Sequence, residues 1–170
     1  MNISLIGMMG CGKTTIGELL AKELSYKFID TDSLIVEKEN RSINDIFAND
    51  GEQYFRKVET NVLKEVLSNQ KQIVSTGGGI VKSDENIKIL KEKSIVIYLK
   101  AKKETLFNRL KEDRTRPLLN VSDMQNKISA LLDERAEKYN KAHHIIETEN
   151  KTPIEITTEI IGIINEYSRS

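Results

Sequence analysis

Residues 7–18 read Gly7-Met8-Met9-Gly10-Cys11-Gly12-Lys13-Thr14-Thr15-Ile16-Gly17-Glu18, and the first eight of them fit the spacing G-x-x-x-x-G-K-[ST]. In this pattern glycines let successive backbone N–H groups turn inward and wrap a phosphate chain. The helix that follows adds its positive N-terminal end. The N–H groups of Gly10, Cys11 and Gly12 are therefore expected to cradle phosphates, with Lys13 reaching the β- and γ-phosphates. Thr14 is expected to ligate Mg²⁺, and Thr15 to complete the nucleotide contacts. The alternative, a glycine-rich turn that holds nothing, does not account for the Lys-Thr pair at this offset. Cys11 sits among helix-start N–H groups, which favour a thiolate; a small residue tolerated in the loop is the plainer reading.

The motif needs a strand before it and a helix after it, and the sequence supplies both. Ile3–Ile6 is a short apolar run. Lys13–Leu24 places Ile16, Leu19, Leu20 and Leu24 at helical spacing. Working outward, the same alternation continues. Strands are expected at Tyr26–Ile29, Gln72–Ser75, Ser94–Leu99 and His144–Glu147. Helices are expected from Asp32 or Thr31, from Ser42 through Phe47, over Gly51–Leu67, from Ser83, over Lys102–Lys111, over Met124–Tyr139 and over Thr152–Tyr167. Residues 112–122 are polar, carry Pro117 and read as a loop. Strands alternating with helices imply an α/β fold: a three-layer α/β/α sandwich around a central parallel sheet of about five strands. In such sheets ligands bind beyond the carboxyl ends of the strands, so Gly7, Asp30 with Asp32, and Gly77–Gly79 are expected on one rim.

The bulk properties bound the rest. A chain of 170 residues suits a single domain with one core. Lys plus Arg and Asp plus Glu both number 26, so no net charge points to nucleic acid or an anionic membrane. The single cysteine excludes an internal disulfide. The chain shows no leader pattern and no apolar run near 18 residues. A monomer in the cytoplasm is expected.

Four further clusters carry candidate chemistry. Asp30-Thr31-Asp32 places two carboxylates at i and i+2 after a strand, on one side if the chain stays extended: Asp30 near a metal, Asp32 toward an acceptor hydroxyl. Both could instead be capping aspartates. Arg56, in Phe55-Arg56-Lys57-Val58-Glu59, can fork onto a carboxylate or phosphate, although Glu52 and Glu59 at i−4 and i+3 would equally make it a solvated surface pair. The triplet Gly77-Gly78-Gly79 allows backbone to approach a ligand closely. The basic run of Arg109, Lys111, Arg114 and Arg116 suits a lid over about 112–122 that excludes water and brings an arginine to a transferring phosphate; a solvated charge run is the alternative. Arg135 is a second candidate anion contact. His143 and His144 have no partners at metal-ligand spacing.

Taken together, GMMGCGKT, Asp30-Thr31-Asp32, FRKVE at 55–59, TGGG at 76–79, RPLL at 116–119 and ERAEKY at 134–139 resemble the shikimate kinases, in that family's order and over nearly the whole chain. RSINDIF followed by DGEQYFR fits the same family. The resemblance implies a P-loop fold like that of nucleoside monophosphate kinases with a mobile lid. It implies transfer of the γ-phosphate of ATP to the 3-hydroxyl of shikimate, in aromatic amino acid biosynthesis, with one Mg²⁺. By position it implies Asp32 on the acceptor hydroxyl, Arg56 and Arg135 on the shikimate carboxylate, and Gly78 as a backbone contact flanked by Gly77 and Gly79. Arg116 becomes the lid arginine, with Lys13 and Asp32 a catalytic residue. Asp30 organises Mg²⁺ through water, and Arg109 and Pro153 line the adenine site. The competing readings are a gluconate or nucleoside monophosphate kinase, a nucleotide switch and an inactive kinase-like subunit. The absence of an N/T-K-x-D guanine motif argues against the switch, and intact Lys13, Asp32 and Arg116 argue against the inactive subunit.

Overall fold

The computed structural model describes residues 1–112 and 121–168. Five strands, β1 (Ile3–Ile6), β2 (Lys27–Asp30), β3 (Gln72–Ser75), β4 (Ile95–Lys100) and β5 (His144–Glu147), form one sheet in the order β2-β3-β1-β4-β5. Every neighbouring pair is parallel, with Ile3 beside both Ile73 and Ile95, Lys27 beside Gln72 and Ile97 beside His144. All residues of β1 and β3, and the first five of β4, are buried. Successive side chains of a strand face opposite ways, so these central strands are covered on both faces, as parallel sheets require. The edge strand β5 buries only Ile146 fully. The expected five-strand α/β architecture is thus the one observed.

The helices are α1 (Lys13–Leu24), α2 (Thr31–Glu39), α3 (Ile43–Leu67), α4 (Asp84–Lys93), α5 (Lys103–Glu112), α6 (Val121–Tyr139) and α7 (Pro153–Tyr167), with a 3₁₀ turn at Ile80–Lys82. Local chemistry sets their starts. Ser42 and Asp45 form a capping box at α3, Thr152 and Glu155 another at α7, where Pro153 occupies the first turn; Ser83 caps α4. Helix α3 turns sharply at Gly51 (φ 79°), so the two helices read on either side of that residue are both present, joined at the kink. Helix α7 buries Ile156, Ile160 and Ile164 at helical spacing.

Two expectations need correction. Strand β2 runs through Asp30, and α2 begins at Thr31. Asp30 and Asp32 therefore do not share an extended stretch. Asp30 is the N-cap, its Oδ1 accepting from Ser33 N at 2.9 Å, and Asp32 stands in the first helical turn. Helix α6 begins at Val121 rather than Met124, which shortens the expected loop; its residues 113–120, with Arg114, Arg116 and Pro117, lie outside the described residues. Among the described residues no helix is long and apolar enough to cross a membrane.

Candidate active site

The carboxyl ends of β2, β3 and β1 are neighbours in the sheet, and the loops leaving them build the site. After β1 the chain adopts positive φ at Gly7 (145°), Gly10 (82°) and Gly12 (100°), conformations that side chains disfavour. These turns wrap the loop around the start of α1. Lys13, buried, curls back to donate to Gly7 O (2.8 Å) and Met8 O (3.0 Å), and its ammonium lies 3.7 Å from Cys11 Sγ. Arg109 reaches over from α5 and donates to Gly10 O at 2.9 Å. A cleft of about 540 Å³ opens here. Its walls include Gly10, Cys11, Gly12, Lys13, Thr14 and Thr15 of the phosphate loop, Arg109 and Pro153, and Asp32, Gly77 and Gly78. The sequence-predicted nucleotide residues within the described chain thus share one cavity, and Asp32 shares it with them. Asp30 is not in its wall.

The triplet after β3 explains how the remaining predicted residues meet. A Cβ on Gly77 would lie 2.6 Å from Asp32 Oδ1, one on Gly78 3.7 Å from Arg135 Nη1, and one on Gly79 2.7 Å from Arg56 Nη2. Each glycine is a platform against which one functional side chain rests, and at Gly77 and Gly79 any larger residue would push that side chain away. The triplet is itself anchored: Thr76 Oγ1 donates to Leu5 O at 2.9 Å, and Gly77 N donates to Thr31 Oγ1 at 3.3 Å. The second contact ties the triplet to the same turn that carries Asp32.

Electrostatics at this end were only partly foreseen. Arg56 donates through Nη1 to Glu59 Oε2 at 2.8 Å. Glu59 is 1% exposed, so the pair read as a surface alternative is half interior. Burial raises the Glu59 carboxyl above the ordinary range; the Arg56 guanidinium opposes that shift, and the Asp32 charge adds to it. Glu59 Oε1 has no hydrogen-bond partner among the described residues. Arg135 is 8% exposed; its Nη1 donates to Gly78 O at 3.1 Å and lies 3.8 Å from Met8 Sδ, while Nε is buried with no hydrogen-bond partner among the described residues. Buried unsatisfied polar groups are costly, and an acceptor on Glu59 and a donor on Arg135, both next to residues that rest on the glycine triplet, mark a place built to receive something polar.

Tyr139 is a residue the sequence did not single out as functional. It is fully buried, stacks on Tyr98 with ring centroids 4.8 Å apart, and donates its hydroxyl proton to Gly78 O at 2.5 Å. Burial lifts its phenol to about 12, so it stays a donor at any working pH. Gly78 O thereby accepts from both Arg135 and Tyr139, one helical turn apart on α6. Tyr139→Phe is expected to lower unfolding free energy by about 1 kcal/mol, read as a shifted urea midpoint at unchanged slope. An unshifted midpoint would show that Arg135 satisfies that carbonyl alone. His143 and His144 serve structure: His143 Nδ1 accepts from Val96 N at 3.0 Å, and His144 Nε2 pairs with Tyr167 Oη at 3.0 Å.

The comparisons bear directly on this geometry. The family model described as shikimate kinase matches residues 9–165. A shikimate kinase of Thermodesulfovibrio yellowstonii is 41% identical over 168 residues, covering 99% of this chain and 95% of its own. The chain belongs to the shikimate kinase family. These are kinases that phosphorylate a hydroxyl of shikimate. The solved structure of shikimate kinase from Acinetobacter baumannii in complex with shikimate is 38% identical, with a TM-score of 0.91 over 98% of this chain and 93% of that one. A gluconokinase from Sinorhizobium meliloti has a TM-score of 0.62 at 18% identity over 99% of this chain and 97% of that one, a likeness of fold alone. The shikimate kinase family therefore accounts for the motifs, whereas the gluconate alternative has only the shared scaffold behind it.

Among the described residues no group of three or more His, Cys, Asp or Glu gathers as a metal site. The exposed Thr14 on the cleft wall fits a cation brought in by phosphate oxygens, which needs few protein ligands.

Proposed function

We propose that this single domain of 170 residues binds ATP in the P-loop cleft and shikimate between Asp32, Arg56 and Arg135, and transfers the γ-phosphate to the 3-hydroxyl. The observation that carries the reading is the glycine triplet: Asp32, Arg135 and Arg56 each stand against one of its glycines, and Asp32, Gly77 and Gly78 also line the P-loop cleft. Shikimate is a small triol with one carboxylate. Two arginines neutralise that carboxylate and fix the ring, and the unpartnered Nε of Arg135 gains an acceptor. Gly78 contributes backbone between Gly77 and Gly79.

Asp32 orients the acceptor hydroxyl and takes its proton as the oxygen bonds to the γ-phosphorus. The bond from that phosphorus to the bridging oxygen breaks, and ADP leaves with the electron pair. Lys13 leaves its carbonyl partners for phosphate oxygens, and the N–H groups of Gly10, Cys11 and Gly12 hold the charge that moves toward ADP. Thr14, and Asp30 through water, would hold Mg²⁺, which would supply neutralisation of phosphate charge. Arg109 and Pro153 flank the adenine. Arg116, which lies outside the described residues, is assigned the contact to the transferring phosphate. The balanced charge of the chain speaks against nucleic acid and an anionic membrane as partners, and the reading is of a cytoplasmic monomer acting on ATP and shikimate.

The test is ADP release from MgATP with shikimate, with gluconate, with a nucleoside monophosphate and with no acceptor. Stimulation by shikimate alone is expected. Equal stimulation by another acceptor, or none by shikimate while ATP binds, would overturn the assignment.

A further inference from the structure

Arg56 is held by two carboxylates that differ in every respect that matters for exchange. Glu59 is buried and grips Nη1 at 2.8 Å; it has no route to solvent. Glu52, one turn earlier on α3, is 49% exposed and touches the opposite edge of the guanidinium with a single oxygen, Oε1 lying 3.3 Å from both Nε and Nη2. That same oxygen lies 2.7 Å from Lys82 Nζ, on the 3₁₀ turn that follows the glycine triplet. The nearer cation holds Glu52 below the ordinary carboxylate range, with Arg56 a lesser cause. Glu134 Oε1 also stands 4.0 Å from Lys82 Nζ.

We propose that Glu52 is a stand-in for the acceptor carboxylate on the outer edge of Arg56, and that an arriving acceptor displaces it onto Lys82, so that Glu52 sets acceptor affinity. The proposal rests on Arg56 holding the acceptor carboxylate. The Nε/Nη2 edge is one of the two forks by which a guanidinium takes a carboxylate bidentately, and in the acceptor-free chain an internal carboxylate covers it. Two long contacts to one oxygen are the weaker side of the bridge; the short contact to Lys82 is already made, so release of Arg56 leaves Glu52 paired. With Glu52 and Glu59 both charged, the four-residue group with Arg56 and Lys82 is neutral. Displacement leaves Arg56 paired with Glu59 inside and the acceptor outside. Glu52 thus keeps an unoccupied site from attracting other small anions at the cost of some affinity for the right one, a form of specificity by competition.

The experiment is steady-state kinetics on the full chain with both substrates varied. Glu52→Gln is expected to lower KM for shikimate by about two- to fivefold, the size of an exposed ion pair, at unchanged KM for ATP. Lys82→Met, which removes the parking cation, is expected to raise KM for shikimate, and to raise it much less when combined with Glu52→Gln. A KM for shikimate that is unchanged or higher in Glu52→Gln overturns the proposal, because a clamp that merely orients Arg56 would act in that direction. Arg56→Met, measured alongside, isolates the premise. If it leaves KM for shikimate unaltered, the carboxylate seat itself is misplaced; if it raises KM while Glu52→Gln fails to lower it, only the displacement is wrong.

Discussion

Asp32→Asn is expected to leave ATP affinity within about twofold of the native enzyme while turnover with shikimate falls by roughly 10²- to 10⁴-fold, the usual span for a positioned acid–base group. Asparagine keeps the size of the side chain, so its rest against Gly77 and the turn tied to Thr31 survive. What it loses is the ability to accept the hydroxyl proton and the negative charge that orients the donor. Asp32 belongs to the first turn of α2 and not to the phosphate loop, so nucleotide binding has little reason to suffer. The measurement is ATP binding by titration together with single-turnover phosphorylation. A loose phosphoryl-transfer transition state asks little of a base, which places the effect at the lower end of the range if Asp32 chiefly orients the hydroxyl. Turnover within a fewfold of native would remove Asp32 from the reaction.

The sequence made the nucleotide half of this site legible because its chemistry is local. A Gly-x-x-x-x-Gly-Lys-Thr spacing between an apolar run and a helical pattern needs no distant partner to be read, and Gly10–Thr15 line the cleft as expected. The acceptor half is assembled from α2, the glycine triplet after β3, α3 and α6, and there pattern alone runs out. Arg56 and Glu59 at i and i+3 look the same whether water or protein covers them; the packing of α3, not its own sequence, buries Glu59. Asp30 and Asp32 could not be separated without knowing that the strand yields to a helix between them, which gives one the cap and the other the cleft. Tyr139 stood in the ERAEKY motif at 134–139 with no role readable there, since its contact is to a carbonyl 61 residues away. The triplet was read as backbone able to approach a ligand. Its other task, making room for Asp32, Arg135 and Arg56, is a property of three side chains from elsewhere in the chain.

Arg135→Met is expected to lower kcat/KM for shikimate by roughly 10²- to 10³-fold, as truncation of one partner of a buried charged pair does, while the KM for ATP stays near the native value. Methionine matches the length of the arginine stem and is apolar, so the space beside Met8 and Gly78 remains filled. The stability consequence should run the other way. In the acceptor-free protein Arg135 is a buried cation with one unpartnered nitrogen, and replacing such a group by a well-packed apolar side chain is often neutral or stabilising. Gly78 O keeps Tyr139 as a donor in the variant, which limits the loss from removing the Arg135 contact. An unfolding midpoint at or above the native value, combined with a collapse in shikimate affinity, would mark a residue retained for binding at the expense of the fold. A matched loss of stability and of both substrate affinities would instead make Arg135 a structural bolt between α6 and the glycine triplet, and the carboxylate seat would then rest on Arg56 alone.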